Sequence, residues 1–151
     1  MMTLPTAKTI ELPCPAENLI IHRPPMLLID QLLEREGDNA AASASLNSDS
    51  LCFSASRGIL PEYFIEIMAQ TMAAANGYDA LVNNTPPADG FIVGIDTFSI
   101  FHIPEGANDF RVEVVKNMEF GSMKMMNGEV FCGSTRVASI ELKVWEQEAS
   151  R

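Results

Sequence analysis

Positive charge is scarce in this sequence. Ten Lys and Arg stand against twenty Asp and Glu, a formal net charge of −10 over 151 residues. Such a chain repels a phosphate backbone and offers no basic run to follow one, so no nucleic acid partner is expected. The acids are scattered rather than blocked, which reads as solubility. Cysteine is scarce as well: Cys14, Cys52 and Cys132 are odd in number and share no CxxC spacing. That argues against a disulfide framework and a structural zinc site, and leaves free thiols. Without a metal or nucleotide motif, no metal and no cofactor are expected. Long hydrophobic runs are also missing. Nothing approaches the roughly 18 apolar residues that cross a bilayer, and the opening MMTLPTAKTIELPCP lacks a basic segment followed by an apolar block. No membrane association is expected, and the expected location is cytoplasmic.

What is there suffices for one core. With 47% hydrophobic residues the chain is long enough for a single domain over residues 1–151 and short for two. Residues 1–14 show no clear period and read as a loosely attached N-terminal arm. PAENLI at 15–20 suits one or two helical turns, and Pro24-Pro25 then resets the chain to an extended path. MLLIDQLLERE reads as a first long strand, GDN at 37–39 as a turn, and AAASASLNS as the returning strand of a hairpin.

After a serine-rich loop from Ser48 to Ile59, Pro61 suits the first position of a helix that runs to about Val82. Phe64, Ile67, Met68, Thr71, Met72 and Ala75 form one stripe, while Ala69, Ala73, Ala74 and Gly77 keep the rest small. A helix apolar nearly all round needs cover on several sides. Beyond the loop NNTPPADG, four strands follow: FIVGIDTFSIF, FRVEVVKNMEF, SMKMMNGEVFC and RVASIELKVW. A bulge is expected at Asn127-Gly128 and a turn at Cys132-Gly133-Ser134. A hairpin, one long helix and four consecutive strands make an α+β fold whose sheet wraps the helix. Its open edge favours a homodimer or a like-sized heterodimer.

Three segments together resemble the β-hydroxyacyl-acyl-carrier-protein dehydratases of the hotdog superfamily. They are HRPPMLLIDQLLE at 22–34, LPEYFIEIMAQTMA at 60–73 and GFIVGIDTFSIFHIPEGAND at 90–109, and in order and spacing they cover roughly residues 20–145. The resemblance implies a curved antiparallel sheet around a long helix, a double hotdog as the dimer, and an acyl tunnel at the interface. It also implies a catalytic pair: a carboxylate on the helix, matched by Glu66, and a histidine in the loop before it. That second position holds Cys52, and the family's Gly-His-Phe-Pro-Gly motif stands here as LCFSAS.

A thiol with an ordinary pKa near 8.5 gives only a few per cent thiolate at neutral pH and is a poor base for an α proton. His22, in the segment resembling the family's Pro-His-Arg motif, is the candidate substitute; the plainer role for it is to order a turn. Gln70, one turn after Glu66 and on its face, is placed to orient the carboxylate or bind a thioester. Cys52, Phe53 and Arg57 are the loop residues expected near substrate. Asp30 and Asp96 read as turn or sheet anchors, and His102 as a rim residue.

Three functions follow. The chain is a dehydratase with Glu66 as acid and His22 as base, or a half-site subunit that pairs with a complete hotdog dehydratase. Alternatively it is an acyl thioesterase in which Glu66 activates water. All three act on an acyl thioester, expected on an acyl carrier protein in fatty-acyl or polyene biosynthesis. Carrier proteins of this kind are acidic, so Arg23, Arg57, Arg111, Lys116, Lys124 and Arg136 are candidates for a docking patch.

Overall fold

The computed structural model describes residues 9–105 and 108–147. Nine strands and one long helix follow in order: β1 (Cys14–Pro15), β2 (Gln31–Glu36), β3 (Asn39–Leu46), β4 (Phe53–Ser54), β5 (Gly58–Ile59), α1 (Glu62–Asn83), β6 (Asp89–Ile100), β7 (Asn108–Phe120), β8 (Met123–Cys132) and β9 (Thr135–Gln147). Seven strands form one sheet in the order β1-β2-β3-β7-β8-β9-β6, antiparallel throughout, and β4-β5 make a separate small hairpin. Helix α1 packs against β7, β3, β2 and β8.

Period-two alternation accounts for the sheet. Ala40, Ala42, Ala44 and Leu46 of β3 face the helix with Val112 and Val114 of β7, Val130 of β8 and Ile140 and Leu142 of β9, all buried. The helix buries Tyr63, Phe64, Ile67, Met68, Met72 and Ala75 against them. Tyr63, Phe64 and Phe110 meet at ring separations of 5.5–5.8 Å. The Arg35 guanidinium of β2 donates two bonds to Asp79 of α1, at 3.2 and 2.7 Å, which fixes the far end of the helix to the sheet.

The Tyr63 hydroxyl is buried within this cluster and has no hydrogen-bond partner among the described residues. Burial holds the phenol well above its ordinary pKa, with Asp30 and Cys52 adding to the rise. A buried hydroxyl left unpaired costs about 1–3 kcal/mol. Tyr63→Phe is therefore expected to raise stability by about 1 kcal/mol in urea denaturation. A loss of stability would show that the hydroxyl has a partner.

Several expectations need correction. The first long strand begins at Gln31, not Met26, because residues 26–28 are engaged by a helix side chain described below. The serine-rich loop contains the β4-β5 hairpin. Pro61 stands as the N-cap of α1 rather than its first helical residue. PAENLI yields only a short 3-10 turn over Ala16–Asn18. No bulge occurs at Asn127-Gly128, where β8 pairs regularly with both neighbours; the register shifts lie at Lys116/Met118 and Val130/Phe131. Gly128 is there for another reason: a Cβ at that position would sit 2.5 Å from Met68 Sδ, so glycine lets helix and sheet approach. The turn at Gly133-Ser134 forms as expected. Residues 1–8 of the expected arm lie outside the described residues, while Ile10 and Leu12 pack against the core.

Candidate active site

Glu66 sits on the second turn of α1 and is half-buried. Its neighbour Gln70 is 1% exposed and satisfies three partners at once. Gln70 Nε2 donates to Glu66 Oε1 at 3.0 Å and to the Met26 carbonyl at 2.8 Å, while Gln70 Oε1 accepts from the Leu28 amide at 2.9 Å. The spacing of four residues puts the two side chains on one helix face. One amide thus orients the carboxylate and ties the helix to the segment that follows Pro24-Pro25.

Cys52 lies in the loop before the helix. Ser50 Oγ accepts from its amide at 3.2 Å and its carbonyl accepts from Leu60 at 2.8 Å, so the backbone is held at both sides. Burial pushes the Cys52 thiol above its ordinary pKa, the Glu66 carboxylate pushes it further, and Glu62 adds a smaller rise; a hydrogen bond with Ser50 acts the other way. Cys52 and Glu66 therefore share one electrostatic environment, in which the thiol stays protonated at neutral pH. Removing the neighbouring charge favours the thiolate. Glu66→Gln is expected to lower the Cys52 pKa, so that alkylation by iodoacetamide, followed residue by residue in the mass spectrometer, sets in at lower pH than in the wild type. An unchanged pH profile would contradict the pairing.

His22 precedes this constellation in the chain. Its Nδ1 is buried without a hydrogen-bond partner, and no hydrogen bond or ion pair joins it to Glu66 among the described residues. The turn is held instead by Arg23, whose guanidinium donates to the carbonyls of Ile20 at 2.8 Å and His22 at 2.7 Å. Phe53 is half-buried on β4, and Arg57 is exposed at the tip of the β4-β5 hairpin.

The expected basic patch does not assemble from the six cations. Arg111 is paired with Glu34 and Glu113, Lys116 with Glu146 and Glu119, Lys124 with Glu119, and Arg136 with Glu129. Strand register hands each to a cross-strand or nearby acid, a fact that depends on topology. Arg23 and Arg57 have no carboxylate partner among the described residues. Asp30 accepts from Ser45 Oγ at 2.6 Å and Asp96 pairs with Lys143 at 3.4 Å, so both act as sheet anchors. His102 is exposed.

Sequence reasoning missed a second polar group near the helix. Asn76 Nδ2 donates to Glu146 Oε1 at 3.0 Å, and Lys116 Nζ lies 3.5 Å from Glu146 Oε2. A lone asparagine on a stripe of alanines is the only signal in the sequence. A recess of about 90 Å³ lies between this group, the helix and the start of β6. A larger depression of about 680 Å³ lies elsewhere, on the outer sheet face around Leu33, Glu34, Arg111 and Glu129, and does not include Glu66.

The family described as ApeP-like, the ApeP dehydratase, matches residues 14–151. The chain belongs to this ApeP-like family. No curated protein matches it. Among solved structures, the dehydratase heterocomplex ApeI:P from Xenorhabdus doucetiae superposes with a TM-score of 0.79 at 16% identity, covering 89% of this chain and 92% of that one. The E. coli PaaI protein of the phenylacetic acid degradation operon gives 0.63 at 9% identity, covering 81% of each chain. A hypothetical thioesterase from Streptococcus pneumoniae TIGR4, solved with coenzyme A, gives 0.62 at 5%, covering 80% of this chain and 87% of that one. At such identities these likenesses concern the fold. The ApeP-like chain has the hotdog fold: one long helix against a large antiparallel sheet.

Proposed function

We propose that this chain is the acid-bearing half of a dehydratase pair, acting on 3-hydroxyacyl thioesters held on an acyl carrier protein in a polyene or fatty-acyl pathway. In the reaction a base removes a proton from C2, an acid protonates the hydroxyl leaving C3, and a C2=C3 double bond and water are formed. Glu66 is the acid. Gln70 aims it, donating at 3.0 Å. The base comes from a second hotdog dehydratase, because the loop position that would hold it here is a thiol pushed up by burial and by Glu66.

The observation that carries this reading is the asymmetry of the site. The acid and its buried clamp are intact, while the base position is occupied by a thiol held above its ordinary pKa by burial and by Glu66. Three further features support it. Edge strand β6 is long and leaves Phe91, Ile92, Val93 and Ile95 from 42 to 58% exposed, as a strand awaiting a partner does. The similar solved structure from Xenorhabdus doucetiae is itself a dehydratase heterocomplex, ApeI:P. Arg57, exposed between Cys52 and Glu66 in the chain and paired with no carboxylate among the described residues, is available to meet an acidic carrier, whereas Arg23 is engaged with two backbone carbonyls.

The test is incubation of the pure protein with a 3-hydroxyacyl carrier thioester, read by mass and by free thiol. No dehydration is expected from the chain alone, and dehydration is expected once a complete hotdog dehydratase is added. Turnover by the chain alone that vanishes in both Glu66→Gln and His22→Ala would instead make His22 the base. Release of free thiol would make the protein a thioesterase with Glu66 activating water.

A further inference from the structure

Glu66, Ala69, Ala73 and Asn76 follow one another at spacings of three, four and three residues, so they form one stripe along α1, and all four are half-buried. The stripe runs over about ten residue steps, about 15 Å along the helix axis at 1.5 Å per residue. Its middle is lined by methyl groups, and Ile92 of β6 stands opposite in the recess that Ala69, Ala73 and Asn76 line. Its far end is different in kind. Glu146 closes the recess with Asn76 donating to one carboxylate oxygen and Lys116 near the other, and the Glu146 and Lys116 side chains are only 9% and 10% exposed.

We infer that Asn76 and Glu146 form a polar stop that sets the length of the acyl chain lying along this stripe. The inference rests on the reading of Glu66 as the residue at the reacting end of an acyl thioester. A saturated tail gains by covering Ala69, Ala73 and Ile92, since each methylene removed from water is favourable. At Asn76 the gain ends. A carboxylate has room for about four hydrogen bonds, and among the described residues this one has a single short partner and a lysine at 3.5 Å. A methyl group pressed onto it would exclude water while offering no hydrogen bond, and stripping a charge of solvent without compensation is unfavourable. The network is braced from behind: the Glu146 amide donates to the Ser122 carbonyl at 2.8 Å, and Lys116 also faces Glu119. The stop therefore does not swing aside when a chain end arrives.

Titration calorimetry of the full-length protein with pantetheine thioesters of saturated acids, from hexanoyl to hexadecanoyl in steps of two carbons, tests this. Affinity is expected to rise about fourfold per methylene up to one chain length and then to stop rising. In Asn76→Ala/Glu146→Ala the break moves to longer chains, so that a thioester two methylenes past the wild-type break binds the variant about fifteenfold tighter than the wild type. Lys116 keeps Glu119 as a partner in that variant. Ala73→Phe, which blocks the stripe short of the stop, moves the break to shorter chains and decides the matter alone if the double variant does not fold. Binding with no break, or a break that neither substitution moves, overturns the inference while leaving the acyl reading in place. Failure of every thioester to bind overturns both.

Discussion

Replacing Cys52 with histidine is expected to give dehydration of a 3-hydroxyacyl carrier thioester about 10²–10⁴-fold above the background left by the wild-type chain assayed alone, the usual contribution of a placed general base. The argument compares proton affinities at one position. An imidazole with a pKa near 6.5 is largely unprotonated at neutral pH and can accept a proton from C2. The Cys52 thiol starts higher and is raised further by burial and by Glu66. The same neighbours act on histidine in the helpful sense at one point, because the Glu66 carboxylate favours the imidazolium formed after proton abstraction. The loop backbone need not move, since its bonds to Ser50 and Leu60 involve the Cys52 amide and carbonyl. A folded Cys52→His protein no faster than the wild type would show that the loop does not face the substrate.

Gln70→Leu carries the largest expected loss of stability, about 3 kcal/mol. Leucine fills much of the same volume but returns none of the three hydrogen bonds. The Leu28 amide belongs to a residue only 8% exposed and would be left without an acceptor, and an unmet buried donor costs about 1–3 kcal/mol. Met26 is 49% exposed, so its carbonyl can turn to water at a smaller penalty. On a chain of this size the loss corresponds to a fall in Tm on the order of 10 °C. A fall of under 2 °C, read by circular dichroism against about 2–4 °C for each kcal/mol, would mean that the clamp contributes little. Activity should suffer beyond the stability loss, because Glu66 loses the donor that aims it.

The long elements were legible because their periods run far enough to be distinctive. The helix from Pro61 and the four strands after it announce themselves over ten or more residues each, and the family resemblance joins them into a hotdog. The extended look of Met26 to Asp30 was misleading, because the side chain that claims this segment comes from Gln70, more than forty residues later. Gly128 likewise read as a bulge position beside Asn127, whereas its small size serves contact with Met68.

The site divides in the same way. Glu66 and Gln70 could be paired from helix spacing alone, since four residues make one turn. The cations could not be sorted into free and paired without the register that sets Arg111 near Glu34, or Lys116 near Glu146. The bond between Asn76 and Glu146 joins residues seventy positions apart, and no local pattern announces it. Long-range polar pairing is the layer that sequence reading reaches last, and here it decides which of the six candidate cations are held by acids and what partner Asn76 finds.

The most direct measurement is complementation. A complete hotdog dehydratase whose own helix carboxylate has been removed is mixed with this chain and supplied with a 3-hydroxyacyl carrier thioester, and formation of the 2,3-unsaturated product is followed by mass. If Glu66 completes a shared site, the mixture dehydrates although neither protein does so alone, and Glu66→Gln in this chain abolishes the product. A mixture that stays inactive although the two chains associate, or one whose activity is indifferent to Glu66→Gln, would contradict the account.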